Sequence, residues 1–250
     1  EFVSKCETCN KFSQSQTKEP LISHPIPSRP WSRIGMDIFT LKKKDFFITV
    51  DYFSDFWELD KLPVNPNAKS VIACCKKNFS RHGIPDVVVA DGGSQFDSKE
   101  FEKFASEWEF SVSLTDPYHS QSNGKAESAV KIAKRLLRKS ADSNQDVHKA
   151  VLDWRNTPTA GIGSSPAQRL MARRTKTLLP TSEALLQPVI PTQVEERITE
   201  KKQKIQRQYD KTAKELPALN VGEVVRMKPP PGDLSREWKR GRCIKKLGER

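Results

Sequence analysis

Three acidic residues stand in sequence contexts where a carboxylate could bind a metal ion. Asp37 lies inside the apolar run IGMDIF, Asp91 follows the short apolar run VVVA, and Glu127 falls in the first turn of a long helical pattern. A buried carboxylate is costly unless it is paired or metal-bound, and carboxylate oxygens suit hard divalent cations. We therefore expect two aspartates on strands and one glutamate on a helix to converge on divalent metal.

A row of cations accompanies Glu127. At about 100° per residue, Lys131, Lys134 and Arg138 fall within a narrow arc around it on the helix. Such a row suits phosphate groups, whereas the simplest alternative is a solvated helix face with charges at i+4 and i+7. The preceding loop, PYHSQSNG, is rich in residues that favour turns.

Two further acids compete for the metal role. Asp51 and Asp55 both lie at predicted strand ends beside a turn, where aspartate is common without any function. Asp91 differs from them because it ends a buried strand and is followed by Gly92 and Gly93, which is a favourable position for a site at a sheet edge.

Alternation and short apolar runs predict strands at Ile34–Phe39, Phe46–Tyr52, Phe56–Lys61, Val87–Ala90 and Phe110–Leu114. Helical periodicity and capping residues predict helices at Asn67–His82, from Ser98 to Trp108, through Glu127, at Asp142–Arg155, from Ser165–Pro166, and at Thr192–Glu215. The core order is βββαβαβα, which predicts an α/β fold with a small mixed sheet.

The composition favours a polyanionic partner. Lys and Arg number 43 against 31 Asp and Glu in 250 residues, a net charge of +12. Nucleic acid is the simplest such partner, although a basic protein without a particular partner has the same composition. No apolar run approaches the ~20 residues that span a bilayer, and no signal peptide is visible, so no membrane partner is expected. The first residue is Glu, which suggests a fragment of a polyprotein.

The five cysteines do not form a disulfide pattern, because they are odd in number and unevenly spaced. Cys6 and Cys9 have the spacing of half a zinc site, but a structural zinc ion normally has four protein ligands. Cys74 and Cys75 are expected in the core. Towards the end of the chain, Trp238 stands among lysines and arginines, a combination that suits nucleic-acid binding.

Another basic run follows the predicted helix that starts at Pro166. Four cations occur there in quick succession: Arg169, Arg173, Arg174 and Lys176. They are expected either to face solvent or to contact a phosphate or a partner.

The acids and their neighbouring motifs resemble the D,D-35-E pattern of retroviral and gypsy-type retrotransposon integrases. Asp91 and Glu127 are separated by 35 residues. DGGSQF at 91–96 is similar to D-N/G-G-x-Q-F, and PYHSQSNGKAE at 117–127 is similar to P-Y-x-P-Q-S-x-G-x-x-E. WRNTPTAGIGSSPAQRLMARRTKTLLP at 154–180 resembles the segment that follows the catalytic core. One departure is Ser120, where the family usually has proline, and we expect a more flexible loop there.

The resemblance implies a ribonuclease H-like core with a mixed five-stranded sheet and flanking helices, followed by a helical linker and a partial small β module. The implied domains are the end of an N-terminal zinc module at 1–12, a linker at 13–30, the catalytic core with its helical extension at 31–180, a helical linker at 190–216, and a partial SH3-like or chromodomain-like DNA-binding module at 217–250. Zinc would be bound only by the full-length N-terminal module, with Cys6 and Cys9 as two of its ligands.

The activity implied is DNA 3′-end processing and strand transfer with two Mg²⁺ or Mn²⁺ ions. Asp37, Asp91 and Glu127 would be catalytic and metal-binding, and the resemblance favours Asp37 over Asp51. Candidate DNA contacts are Tyr118, Gln121, Asn123, Lys131, Lys134 and Arg138. The implied partners are double-stranded DNA and further copies of the chain, with nuclear action in a eukaryotic host. The alternatives are a catalytically inactive, element-derived DNA-binding protein and a nuclease of the same fold.

Overall fold

The computed structural model describes residues 6–12, 19–21, 25–115, 123–215, 217–227, 229 and 237–245. They divide into two compact units. One is His24–Lys201, and the other consists of the described residues of Glu1–Ser23 and Lys202–Arg250. The finer domain boundaries implied by the resemblance stay predictions.

The larger unit is built on a five-stranded mixed sheet. Its strands are β1 (Arg33–Leu41), β2 (Lys44–Asp51), β3 (Trp57–Lys61), β4 (Val87–Asp91) and β5 (Ser111–Thr115). The spatial order is β3-β2-β1-β4-β5. β2 is antiparallel to β1 and to β3, whereas β4 is parallel to β1 and to β5. The predicted mixed five-stranded sheet is therefore confirmed.

The described helices are α1 (Glu7–Lys11), α2 (Ala68–His82), α3 (Lys99–Glu107), α4 (Gly124–Asp142), α5 (Val147–Asn156), α6 (Pro166–Met171), α7 (Glu183–Leu186) and α8 (Val194–Asp210). Asn67 caps α2 and Ser165 caps α6, each in a capping box. Two predicted boundaries were wrong. The helix predicted to start at Asp142 begins at Val147, and Asp142 is instead the last residue of α4. The last predicted helix, α8, ends at Asp210 and not at Glu215.

The sheet has a hydrophobic core on each face. Side chains from α2 and α3 pack with Ile34 and Met36 of β1 on one face. Small residues of α4 pack against Phe39, Ile48 and Trp57 on the other face. Alternation along β1 thus divides its side chains between the two cores, as a strand that is covered on both faces requires. Cys75 is fully buried in the first core, as predicted.

The smaller unit contains α1 and a two-stranded antiparallel sheet. Its strands are β6 (Val224–Met227) and β7 (Lys239–Arg242). The backbone N–H of Trp238 donates to the carbonyl of Lys11 at 2.9 Å, and the Trp238 side chain is buried. The ring is therefore covered, and the nucleic-acid binding that its basic neighbours suggest stays a prediction. No helix in the described ranges has both the length and the apolar character to cross a membrane.

Candidate active site

Two of the three acids lie on neighbouring parallel strands. In the β1–β4 pair, Gly35 lies opposite Val89. When this register is extended by two residues, Asp37 comes level with Asp91, and neighbouring strands are about 4.8 Å apart. The Oδ1 atom of Asp91 accepts a long hydrogen bond from the N–H of Gly93 at 3.3 Å. The turn after β4 thus orients the carboxylate at the strand end.

The third acid comes from α4, which packs closely on the same face of the sheet. The residues that α4 buries are small: Ala126, Ala129, Val130, Ala133 and Ser140. Small side chains allow the helix backbone to approach the sheet, and Phe39 of β1 belongs to the core that they form. Asp37 precedes Phe39 by two residues and therefore shares its face. Glu127, in the first turn of α4, is half-buried on this side.

The other two acids act electrostatically on Asp37. Burial and the negative charge of Asp91 raise the pKa of Asp37 to about 6, and the charge of Glu127 acts in the same direction. The N–H of Ile38, 2.7 Å from Asp37 Oδ1, and the ammonium group of Lys134 oppose this rise. The negative charge around Asp37 is therefore only partly neutralised by the groups near it. A bound cation would neutralise the remainder.

The three acids carry carboxylate oxygens, which are the donors that Mg²⁺ prefers. No group of three or more Asp, Glu, His or Cys side chains in the described part of the chain is arranged to hold one ion. Mg²⁺ is usually bound by one or two carboxylates, with waters and substrate phosphates completing its shell. Asp37, Asp91 and Glu127 would supply carboxylate ligands to an ion whose other ligands are waters and substrate phosphates.

Asn123 connects the start of α4 to β1. Its Nδ2 atom donates to the carbonyl of Met36 at 2.9 Å, next to Asp37, and its side chain is only 4% exposed. Its Oδ1 atom has no hydrogen-bond partner within the described residues. A Cβ atom on Gly35 would come within 3.1 Å of that oxygen, so glycine gives the asparagine room. Asn123 is therefore buried between two elements that carry acids.

The other predicted DNA contacts differ in their surroundings. Lys131 and Arg138 are exposed on α4, whereas Lys134 is half-buried with its Nζ atom 5.2 Å from the centre of the Phe39 ring. All three lie on the helix that carries Glu127. Tyr118, Gln121 and Ser120 lie outside the described residues. The DNA-binding role of these residues stays a prediction.

Asp51 is occupied by the local backbone. It is fully buried, and it accepts hydrogen bonds from the N–H groups of Trp31, Phe53 and Ser54 and from the Ser54 hydroxyl at 2.5–3.2 Å. Burial raises its pKa, and these hydrogen bonds oppose the rise. Its oxygens stabilise the turn after β2, which agrees with the preference for Asp37 as the metal ligand.

Asp55 belongs to a partly buried ion-pair network that the sequence did not reveal. It contacts Lys125, the second residue of α4, and Arg169 of α6, whose NH2 atom is 3.1 Å away. Burial acts to raise the pKa of Asp55, but the two cations outweigh it and lower the pKa. The Arg169 side chain is completely buried. Arg169 is thus neither solvent-facing nor free for phosphate, contrary to both expectations for it.

The two N-terminal cysteines form only part of a metal site. The N–H of Cys9 points to Cys6 Sγ at 3.5 Å, and this contact lowers the pKa of the Cys6 thiol. No third Cys, His, Asp or Glu joins them among the residues described. Zinc binding by Cys6 and Cys9 stays a prediction for a longer chain.

The sheet order and the packing of α4 on the sheet define an α/β fold of the ribonuclease H-like class. Residues 27–120 match the family model of the integrase core domain. This range contains Asp37 and Asp91 and ends before Glu127. The resemblance to retrotransposon and retroviral integrases that the motifs predict is confirmed.

Relatives and solved structures agree with this result. The chain is 28% identical over 258 residues to the uncharacterized protein K02A2.6 of Caenorhabditis elegans, covering 99% of this chain and 20% of that protein. It is 27% identical over 146 residues to the transposon Tf2-3 polyprotein of Schizosaccharomyces pombe, covering 55% of this chain and 11% of that polyprotein. The chain thus spans a fifth or less of the length of these relatives.

A similar fold occurs in a chain of the simian T-cell lymphotropic virus intasome, solved in complex with the PP2A regulatory subunit B56 gamma. The TM-score is 0.61 at 17% sequence identity, and the alignment covers 94% of this chain and 75% of that chain. At this level of identity the similarity establishes the fold alone.

Proposed function

We propose that this chain is the DNA-joining part of a retroelement polyprotein, which trims the 3′ ends of element DNA and transfers them to a target strand. The observation that carries this proposal is that Asp37 comes level with Asp91 on the neighbouring strand, where burial and the charges of Asp91 and Glu127 raise its pKa to about 6. The integrase core match and the transposon polyprotein relative support the same role.

The carboxylates of Asp37, Asp91 and Glu127 would hold two Mg²⁺ or Mn²⁺ ions, whose chemistry is to activate an attacking oxygen and to stabilise a leaving 3′ oxygen. The reaction is an in-line displacement at a phosphodiester. Water as the nucleophile frees a 3′-OH, and that 3′-OH as the nucleophile joins the end to a new strand. Lys131 and Lys134, one and two turns beyond Glu127, would orient the phosphates of the DNA end.

Double-stranded DNA is the proposed partner, because the chain carries a net charge of +12 and presents cations beside the acids. We also propose a homo-oligomer, by analogy with the intasome whose subunit shares this fold. Nuclear action follows from the substrate if the host is a eukaryote. The rest of the polyprotein would supply the two further ligands that Cys6 and Cys9 need to bind zinc.

A strand-transfer assay tests the proposal. Purified chain is incubated with Mn²⁺ and labelled short duplexes with varied ends, beside the Glu127→Gln variant, which keeps the size of the side chain and removes its charge. Metal-dependent joined products that disappear in the variant are expected. A circular dichroism spectrum and a melting curve are recorded for both proteins, to check that the substitution leaves the fold intact.

The product pattern separates the alternatives. Cut strands without joined strands would indicate a nuclease of this fold. DNA binding without either product, equal in both proteins, would indicate a DNA-binding protein without catalysis. Either of these results would overturn the proposal for this chain.

A further inference from the structure

The hairpin between β1 and β2 has an unusual pair of residues in its turn. Leu41 pairs with Lys44, so the turn consists of Lys42 and Lys43 alone. Their φ angles are 50° and 60°, both in the left-handed region. Two-residue hairpin turns with positive φ at both positions are of type I′, and they favour Asn-Gly, Asp-Gly or Gly-Gly.

Lysine is an unfavourable choice at these two positions. A side chain with a Cβ atom in the left-handed region has a free-energy cost that glycine avoids and that asparagine reduces. Such local strain is often found at functional sites, where a side chain does something that the favoured residue could not do. The two lysines thus place positive charge at this turn at a cost that asparagine and glycine would avoid.

An open cavity of about 500 Å³ lies beside the turn. Its lining residues are Lys42, Arg138, Lys139, Ala141 and Asp142. Three cations thus face one acid across the gap between the hairpin and the end of α4. None of the three cations has an ion-pair partner in the ranges that the structure describes. The cavity carries excess positive charge that an anion could neutralise.

Two elements lead from the acids to this cavity. Along β1, Lys42 follows Asp37 by five residues, about 17 Å at the usual rise of a strand. Along α4, Arg138 follows Glu127 by eleven residues, about 16 Å at the usual rise of a helix. Both estimates put the cavity about five base pairs of duplex from the acids, at about 3.4 Å per pair. Lys134 lies between the two ends of this path.

We propose that the cavity between the β1–β2 turn and the end of α4 binds a backbone phosphate of duplex DNA, about five base pairs from the acidic site. Lys42, Arg138 and Lys139 donate to its oxygens, and Lys43 adds charge at the rim. Phosphate contacts of this kind set the register of a duplex without reading its sequence. This inference rests on the proposed function, because it supplies a second anchor for the DNA end.

The decisive variant is Lys42→Asn combined with Lys43→Gly, which gives the turn its favoured residues. Its melting temperature is expected to equal or exceed that of the original chain. Affinity for a duplex of about 20 base pairs is expected to fall roughly 5- to 10-fold, and the slope of log K against log salt to become less steep by about 1–2. A variant that is more stable and binds DNA less tightly cannot be explained by misfolding.

Two control variants are matched to this one. Lys42→Arg with Lys43→Arg keeps both charges and is expected to bind the duplex within about twofold of the original chain. Lys69→Asn with Lys99→Asn removes the same charge from exposed positions of α2 and α3, on the other face of the sheet, and is expected to leave the affinity nearly unchanged. Arg138→Ala with Lys139→Ala tests the cavity without altering the turn and is expected to weaken binding like the turn variant.

The outcomes also distinguish this inference from the proposed function. If the original chain joins DNA while the turn variant and the Arg138/Lys139 variant bind it as tightly as the original, the phosphate site alone is overturned. An equal loss in the Lys69/Lys99 control would assign the effect to net charge and would also overturn the site. If the original chain does not bind duplex DNA, both proposals fail.

Discussion

Two carboxylates of the same sheet have opposite electrostatic surroundings. On β1, burial and neighbouring acids raise the pKa of Asp37 to about 6. On β3, burial acts to raise the pKa of Glu58, but a hydrogen bond with His82 and the charge of Arg155 outweigh it and lower the pKa to about 2. Burial alone therefore does not decide the state of either carboxylate; its partners do.

Glu58 is paired on both oxygens. Oε1 is 3.0 Å from Arg81 NH1 and 2.9 Å from His82 Nε2, and Oε2 is 2.8 Å from Arg155 NH2. Arg155 also places its guanidinium group 4.3 Å from the centre of the Phe56 ring. This single acid therefore joins β3 to α2 and to α5. Its side chain is 11% exposed, and its contacts with His82 and Arg155 are better shielded from water than that with Arg81, whose side chain is 46% exposed.

The difference separates a structural carboxylate from one that we propose as a metal ligand. At Glu58 the protein supplies its own cations and gains stability from them. At Asp37 it places further acids nearby, a choice that costs stability unless an external cation is bound. The uncompensated charge of neighbouring acids is thus the feature that distinguishes the candidate active site from the Glu58 site.

The largest effect is expected from Asp37→Asn. Because metal activation contributes several kcal/mol to such a reaction, strand-transfer activity should fall by roughly 10³-fold or more. The neutral side chain also removes repulsion, so the metal-free variant should be about 1 kcal/mol more stable than the original chain at pH 7.5. Activity assays and urea unfolding in EDTA measure the two changes. A destabilised variant would contradict the assignment of Asp37 to an under-neutralised site.

The Glu58→Gln substitution is expected to lower stability and to leave activity unchanged. Its loss leaves Arg155 and Arg81 without their anion, so the free energy of unfolding should fall by about 2–3 kcal/mol. Folded variant protein should retain its strand-transfer rate, because Glu58 is not among the acids around Asp37. Urea unfolding and an assay below the unfolding transition measure these quantities. A large loss of rate in fully folded variant would remove the contrast between the two sites.

The Glu58 contribution should also depend on pH. A carboxylate whose pKa is lowered on folding stabilises the protein above its unfolded pKa, and this contribution is lost as the pH falls towards the folded value. The window is therefore from about pH 4.5 down to about pH 2. The stability difference between the original chain and Glu58→Gln should shrink by about 1–2 kcal/mol between pH 6 and pH 3. A difference that stays constant over this range would show that packing, and not charge, accounts for it.

The sequence predicted the sheet, which the structure confirms, because its signals are local, and local signals also led to the proposal of the three acids. Alternation marked the strands, glycines marked the end of β4, and motif order supported Asp37, Asp91 and Glu127 as a set. The ion pairs of Glu58 and Asp55 join residues up to 114 positions apart, and no local pattern connects them. Burial of Trp238 and Arg169 was missed for the same reason: composition indicates charge and aromaticity but not which contacts cover a side chain.

Asn123 was also unexpected, because the sequence assigned it to DNA and the structure buries it against β1. We expect Asn123→Ala to loosen the fit between the start of α4 and Met36, and so to disturb Glu127 relative to Asp37. Affinity for Mg²⁺, measured as the rise in melting temperature with metal in the absence of DNA, should fall about tenfold, as for other residues that orient metal ligands. Duplex affinity in EDTA should be unchanged.

Asn123→Asp sharpens the test, because it keeps the shape of the side chain and removes the amide that donates to the Met36 carbonyl. It also places another negative charge beside Asp37. If Asn123 acts through position, the alanine variant should weaken the metal response, and the added carboxylate of the aspartate variant should offset part of that loss. If it contacts DNA, the alanine variant should weaken duplex binding in EDTA and leave the metal response unaltered. The first result would extend the contrast with Glu58: the acids around Asp37 would depend on a neutral hydrogen bond for their positions, whereas Glu58 is held by its own cations.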